Sequence, residues 1–286
     1  MERIAGIEGG TLECAIWDAA GRALWFVDIP GAKLHRLDPA SGDLKIWTMP
    51  QHIGCFALRE KGGAVVALRD GLYAFDFATG ACAPIWKGDW DPATTRFNDG
   101  RCDARGRFYA GTMFEPRTRA GGALYRLDPD LTVTKVVDAT TVSNGLAFAP
   151  DGARAYFADS PTHTVTIYDV GANGSFANGR RFAEYGPGMG RPDGGAVDAE
   201  GHYWSAAVDG GKVLRWRPDG TIEREIPVPT PWPTMVCLGG DDLKTLFVTS
   251  LKSNRTAEQL AQWPQSGGLF RTRVDVPGRV EPKFAG

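Results

Sequence analysis

Four oxygen-bearing side chains, Glu13, Asn98, Asn144 and Asp193, share one repeating address in this sequence. Each lies eight residues before a turn glycine, Gly21, Gly106, Gly152 and Gly201 respectively. The segment after each glycine is rich in aromatic residues: Leu24-Trp25-Phe26-Val27, Phe108-Tyr109, Tyr156-Phe157 and Tyr203-Trp204. Equal spacing within a repeat means equal positions in a repeated structural unit. If the units ring an axis, these side chains converge on one point. Glu13 and Asp193 would bring carboxylates and Asn144 an amide oxygen, a set that suits a divalent cation with water in its remaining positions. Glycine follows closely at Gly100, Gly145 and Gly194-Gly195, leaving room for backbone and ligand to approach. Asp and Asn before glycine are also ordinary turn residues. The turn reading fits the set less well, because each member precedes a second turn of its own, at Asp18 to Gly21, Asp103 to Gly106, Asp151-Gly152 and Asp198 to Gly201.

A second motif supports the repeat and shows what must position these residues. Short apolar or aromatic strands, often closed by Asp, recur as Leu34 to Asp38, Leu72 to Asp76, Leu124 to Asp128, Val165 to Asp169, Val213 to Arg217 and Leu269 to Arg273. The six copies are separated by 38, 52, 41, 48 and 56 residues. Each unit reads as an inner strand, a glycine turn, a second strand, a hairpin, a third strand and a more variable fourth. Units of roughly 40 to 50 residues made of short strands predict a β-propeller. The expectation is therefore an all-β, six-bladed propeller with a central metal site, as one domain spanning residues 1–286. Phe114 to Gly122 and Lys252 to Gly267 read as loop insertions, the second holding a helix-like run from Thr256 to Ala261. A strand around Ile4 to Ile7 is expected to join the last blade and close the ring, removing an exposed edge.

Bulk properties narrow the class of partner. Lys plus Arg number 32 against 34 Asp plus Glu, so no large charge imbalance favours nucleic acid or an anionic membrane. There is no apolar signal core at the start and no stretch long enough to span a bilayer. Five scattered cysteines, with no paired spacing, predict buried reduced thiols and a cytoplasmic protein. The four histidines (His35, His52, His163, His202) are dispersed and no GxSxG elbow occurs, so nucleophilic serine chemistry is not expected. Most of the nine tryptophans sit at strand positions that packing explains, and Trp232 is the candidate for a contact at the channel mouth.

Read in order, Leu12-Glu13-Cys14-Ala15-Ile16-Trp17-Asp18, Arg96-Phe97-Asn98-Asp99-Gly100, Gly111-Thr112-Met113, Ser143-Asn144-Gly145-Leu146 and Pro192-Asp193-Gly194 resemble landmarks of the SMP-30/gluconolactonase family. The segments around Gly239-Gly240 and Ser266-Gly267-Gly268 continue the resemblance, which covers nearly the whole chain. It implies a sugar lactonase, a carboxylic-ester hydrolase acting as a monomer on a small-molecule aldonolactone. It implies one divalent metal ion on Glu13, Asn144 and Asp193, with calcium the expected ion and zinc, iron(II) or manganese as alternatives. It carries substrate contact onto Arg96, Asn98, Asp99 and Glu115. One departure is that a usual Gly-Glu-Gly-Pro is here Leu12-Glu13-Cys14-Ala15, so this strand is expected to pack differently.

These residues support a mechanism in which metal-bound water attacks the lactone carbonyl and Asp193 accepts the proton. Arg96 and Asn98 would orient the substrate and stabilise developing negative charge. Two other readings stay open: a metal-dependent esterase or phosphotriesterase using the same site, and a non-catalytic metal-binding propeller. Turnover of lactone, aryl ester and organophosphate by metal-loaded protein separates the three.

Overall fold

A computed structural model describes residues 1–286. It contains six four-stranded antiparallel sheets, arranged as the six blades of a propeller. Blade one runs through Leu12–Asp18, Ala23–Asp28, Lys33–Leu37 and Leu44–Thr48, and its strand order is its chain order. Blades two to five repeat this plan, with inner strands Ile53–Leu58, Thr95–Cys102, Ser143–Phe148 and Arg191–Val197. Blade six has the inner strand Pro233–Gly239, and its outermost strand is Glu2–Glu8 from the start of the chain, paired with Gly268–Arg273. The ring is thus closed by hydrogen bonds between its two ends, and the third strand of blade six is not left as a bare edge.

The inner strands are buried along nearly their whole length, while the outermost strands are half exposed. Aromatic side chains fill the wedges between blades, which widen away from the axis. Trp25 stacks on Trp47 and meets Phe77 between blades one and two. Tyr109 meets Phe148 and Phe176 between blades three and four, and Tyr156 stacks on Tyr203 between four and five. Trp17 stacks on Phe247 across the closing seam. Flat rings suit these wedges because they bury a large apolar area with little loss of side-chain freedom.

Every inner strand carries a register shift against its neighbour. The shifts fall between Glu13 and Ile16, Ile53 and Cys55, Phe97 and Gly100, Asn144 and Ala147, Pro192 and Gly195, and Pro233 and Val236. A bulge re-aims the side chain beside it and ends regular pairing. This is the structural origin of the repeating address, which Gly54 and Thr234 occupy in the other two blades. The Gly54 backbone lies so close to blade three that a Cβ there would sit 2.3 Å from the Phe97 carbonyl oxygen. Only glycine lets the two inner strands meet at that point.

Because neighbouring strands are antiparallel, the connection between the second and third strands returns to the face where each inner strand begins. The two insertions therefore overhang the same mouth of the channel, the one beside Glu13 and Asp193. In blade three the loop runs between Phe108–Phe114 and Gly122–Leu127, and in blade six the insertion holds the helix Ala257–Gln262. Thr256 caps that helix in a reciprocal capping box with Gln259. At the opposite face the chain from Val274 to Gly286 crosses the channel. It hydrogen-bonds Lys244, Ala199, Leu58 and Gly106 in turn, and Phe284 is fully buried there. No helix is long and apolar enough to cross a membrane.

Candidate active site

The bulge of blade one brings Glu13 to the channel, and its geometry explains how the departure at Cys14 is accommodated. Cys14 takes a φ of 49°, in the left-handed region, and Gly145 after Asn144 takes 61°. The strand keeps the same bulge as its neighbours instead of packing differently. The conformation that glycine adopts freely is imposed here on a side chain, and such strain gathers where the surroundings over-determine the backbone. The Cys14 thiol packs toward the carbonyls of Phe56 and Gly100, and its backbone N–H donates to Glu13 Oε2 at 3.0 Å.

Glu13, Asn98, Asn144 and Asp193 all converge on the channel and all are buried. Asn98 Nδ2 donates to Asn144 Oδ1 at 2.8 Å and to the Ser143 carbonyl at 3.0 Å. Asn144 Nδ2 donates to Ser160 Oγ at 2.8 Å, and that hydroxyl donates onward to the Pro192 carbonyl at 2.6 Å. These bonds tie blades three, four and five together and fix the Asn144 amide, its oxygen toward Asn98 and its nitrogen toward Ser160. An amide oxygen has two lone pairs, so one remains beside the bond from Asn98.

Glu13 and Asp193 lie close enough to perturb one another. Burial pushes the Glu13 carboxyl well above its ordinary range, and the negative charges of Asp193 and Asp99 push it further. Burial also lifts Asp193, and Asp99 adds to the effect. Neither carboxylate has a salt-bridge partner. Two buried carboxylates opposed in this way cannot both be ionised at low cost. The donor set beside them is all oxygen, as a hard divalent cation requires. No group of three or more His, Cys, Asp or Glu side chains is gathered as metal ligands, so such an ion would rest on two carboxylates and an amide.

Arg96 and Glu115 stand above this group at the mouth. Arg96 Nε donates to Glu115 Oε1 at 3.0 Å, while its Nη1 donates to Asn98 Oδ1 and the Phe97 carbonyl, both at 2.8 Å. Its Nη2 is left free to meet a ligand. Arg69, from the hairpin of blade two, also pairs with Glu115 and donates to His52 Nδ1. The Glu115 carboxyl is held below its usual range by the two guanidinium groups, against the opposing effect of burial. The Asp99 side chain is bonded to backbone instead. Its carboxylate accepts from the Gly100 N–H at 2.8 Å and from the Leu146 N–H at 3.0 Å, bracing the bulges of blades three and four.

Several features were not marked in the sequence. Arg69 and His52 belong to the blade whose own address is a glycine, so no repeat pattern pointed to them. Ser160 lies in a short 3-10 turn after the second strand of blade four. Trp232 is buried, and the Arg255 guanidinium covers its ring at 4.8 Å, so it presents no open stacking face to the channel.

A family model described as the SMP-30/Gluconolactonase/LRE-like region matches residues 11–252. The chain belongs to this family. It is 47% identical over 275 residues to a 6-deoxy-6-sulfogluconolactonase of Pseudomonas putida, covering 96% of this chain and 94% of that protein. It is 37% identical over 278 residues to an L-arabinolactonase of Azospirillum brasilense, covering 96% and 92%. Among solved structures, a calcium-binding regucalcin from Agrobacterium tumefaciens superposes with a TM-score of 0.92 at 29% identity, over 97% of this chain and 94% of that one. All four residues of the repeating address lie within the matched region.

Proposed function

We propose that this protein is a sugar lactonase that hydrolyses an aldonolactone to its aldonic acid with the help of one divalent metal ion. The observation that carries the reading is the buried, mutually facing pair Glu13 and Asp193, with the Asn144 amide oxygen beside it and no cationic side chain to neutralise it. The full-length similarity to two lactonases supports the substrate class, and the regucalcin neighbour supports calcium as the ion.

Glu13, Asn144 and Asp193 would hold the cation. When bound, it would polarise the lactone carbonyl and lower the pKa of a water at the site. The rest of the reaction falls to the chain's own residues. Asp193 accepts the proton that the attacking water loses as its oxygen bonds to the carbonyl carbon. The ring C–O bond then breaks, and the same proton is returned to the departing alkoxide oxygen. Arg96 Nη2 donates to the lactone, with Glu115 and Asn98 fixing the guanidinium plane, so little reorganisation is needed during reaction. Asn98 holds Arg96 on one side and Asn144 on the other, coupling substrate contact to cation contact. Asp99 shapes the floor of the site through the backbone it braces.

Chelator-treated protein should be assayed after adding calcium, zinc, manganese or iron(II), against glucono-, xylono-, arabino- and galactonolactones. Ring opening is expected only with metal, and faster for lactones than for an aryl ester or an organophosphate triester. Failure to open any aldonolactone faster than buffer would refute the reading.

A further inference from the structure

The mechanism above leaves Arg69 unused, although its guanidinium joins three loops at the mouth of the channel. It stands in the hairpin between Ala64–Leu68 and Gly71–Phe75 of blade two. Its Nε donates to the Pro92 carbonyl and its Nη2 to the Ala93 carbonyl at 3.2 Å. Both carbonyls belong to loop 88–94, which leads into the strand that carries Arg96. Arg69 Nη1 lies 3.2 Å from His52 Nδ1. Arginine has no acceptor, so His52 must accept there and carry its own proton on Nε2. Nη2 also donates to Glu115 Oε2, in the insertion of blade three. Trp90, packed against Phe97 and Tyr125, holds the Arg69 backbone by donating from Nε1 to its carbonyl at 3.1 Å.

The consequence falls on Arg96. Glu115 offers two carboxylate oxygens, and Arg69 takes one while Arg96 Nε takes the other at 3.0 Å. The Glu115 side chain is 34% exposed, so without Arg69 its carboxylate would be free to turn toward water. The Glu115 backbone is fixed separately, its N–H donating to the Thr94 carbonyl at 2.8 Å. No other carboxylate pairs with Arg69 or Arg96. Asp91 is turned to the Ala93 N–H at 2.9 Å, and Asp159 to the Thr141 and Val142 N–H groups at 2.8 and 2.9 Å. Two guanidinium groups on one carboxylate repel each other, and partly exposed ion pairs add little stability. The arrangement therefore does more for the orientation of Arg96 than for the stability of the fold.

Resting on the lactonase reading above, we propose that Arg69 is a positioning residue for ring opening, acting on Arg96 through Glu115. Arg69 locks the Glu115 carboxylate, Glu115 locks Arg96 Nε, and Arg96 Nη2 is thereby held ready for the lactone. His52 and the two loop carbonyls keep Arg69 itself in place. A guanidinium set in advance needs no reorganisation as charge develops, so its loss is felt in turnover more than in substrate binding.

The test measures kcat and KM of metal-loaded protein for the aldonolactone that wild type opens fastest. It compares Arg69→Gln, Arg69→Lys, Glu115→Ala and the double variant of Arg69→Gln with Glu115→Ala. Arg69→Gln should lower kcat by about tenfold, with KM changed by less than about threefold. Arg69→Lys should recover part of kcat, because it restores the charge beside Glu115 but not the fork that spans the loop. The double variant should be no slower than Glu115→Ala alone, since both changes act through one carboxylate. Additive losses, an unchanged kcat in Arg69→Gln, or a matching loss of metal affinity would overturn the proposal and leave lactone hydrolysis standing. A second measurement needs no turnover. The Arg96 Nε–H signal in NMR spectra, assigned with Arg96→Lys, should exchange with water about fivefold faster or more in Arg69→Gln. Absence of turnover on every lactone would refute the lactonase reading, and faster exchange would still support the hold on Arg96. An unchanged exchange rate would overturn that hold.

Discussion

The two ends of the central channel treat buried charge in opposite ways. At the mouth, Glu13 and Asp193 face one another with Asp99 nearby and with no cation of their own. Toward the opposite face, Arg101 and Asp198 are fully engaged. Arg101 reaches the Gly195 carbonyl at 2.6 Å and Glu281 of the C-terminal segment at 2.9 Å. Asp198, only five residues after Asp193, accepts from Trp204 Nε1 and Arg215 Nε, both at 2.8 Å, and from the Glu200 and His202 N–H groups at 2.9 Å. The contrast separates two uses of the same residue type. Asp198 is a carboxylate whose partners are built into the fold, and Asp193 is one with no salt-bridge partner in the chain, the place the proposed cation would fill.

This contrast can be broken most sharply by substitution. Asp193→Ala should lower lactone turnover on the order of 10³-fold or more and abolish tight metal binding, read by steady-state kinetics and calorimetry. In chelator-treated protein, Asp193→Asn should leave the fold intact or raise the unfolding midpoint, since it removes one of two opposed carboxylates. Asp198→Ala should do the reverse. Stripping the Arg215 guanidinium of its buried partner should destabilise the protein by about 3 kcal/mol, measured by denaturant unfolding. If both substitutions shift stability in the same direction, the division of roles is wrong.

A smaller effect is expected at Asn98, which touches the site without supplying a carboxylate. Asn98→Ala should reduce kcat by roughly 10- to 100-fold, because both Arg96 and Asn144 lose a fixed partner. Metal affinity should fall far less than in Asp193→Ala. Smaller still is the expected pH effect on metal-free protein. The Glu13 and Asp193 carboxyls are raised above their unfolded values by burial, so their contribution to stability is fully present below about pH 4 and is lost as pH rises through the elevated folded values. The unfolding midpoint of metal-free protein should therefore gain from mild acidification, and bound metal should flatten that dependence.

Much of this architecture was legible in the sequence because the repeat is local. The six Leu34-like segments are the third strands of six blades, and the two long intervals are the insertions that overhang the mouth. The strand near Ile4 closes blade six, as the need to cover an exposed edge suggested. The quartet at one address converges because each member flanks the same bulge. The remainder depends on neighbours far apart in the chain. Arg69 reaches Glu115 across 46 positions, and Arg101 reaches Glu281 across 180. Neither contact has a periodic signature. The bonds of the Asp99 carboxylate to the Gly100 and Leu146 N–H groups, the second of them reaching into the next blade, had no signature in the run beside Asn98 either. Trp232 gave a misleading signal for a related reason, since the residue that covers it, Arg255, comes from the insertion and not from the repeat.

The most direct test of the central claim is a calorimetric titration of chelator-treated protein with calcium, with lactone hydrolysis assayed on the same samples. The account predicts about one ion per chain, from the single opposed pair of carboxylates. Activity should rise in proportion to occupancy, and both should vanish in Asp193→Ala. Full lactone turnover by metal-free Asp193→Ala protein would contradict it.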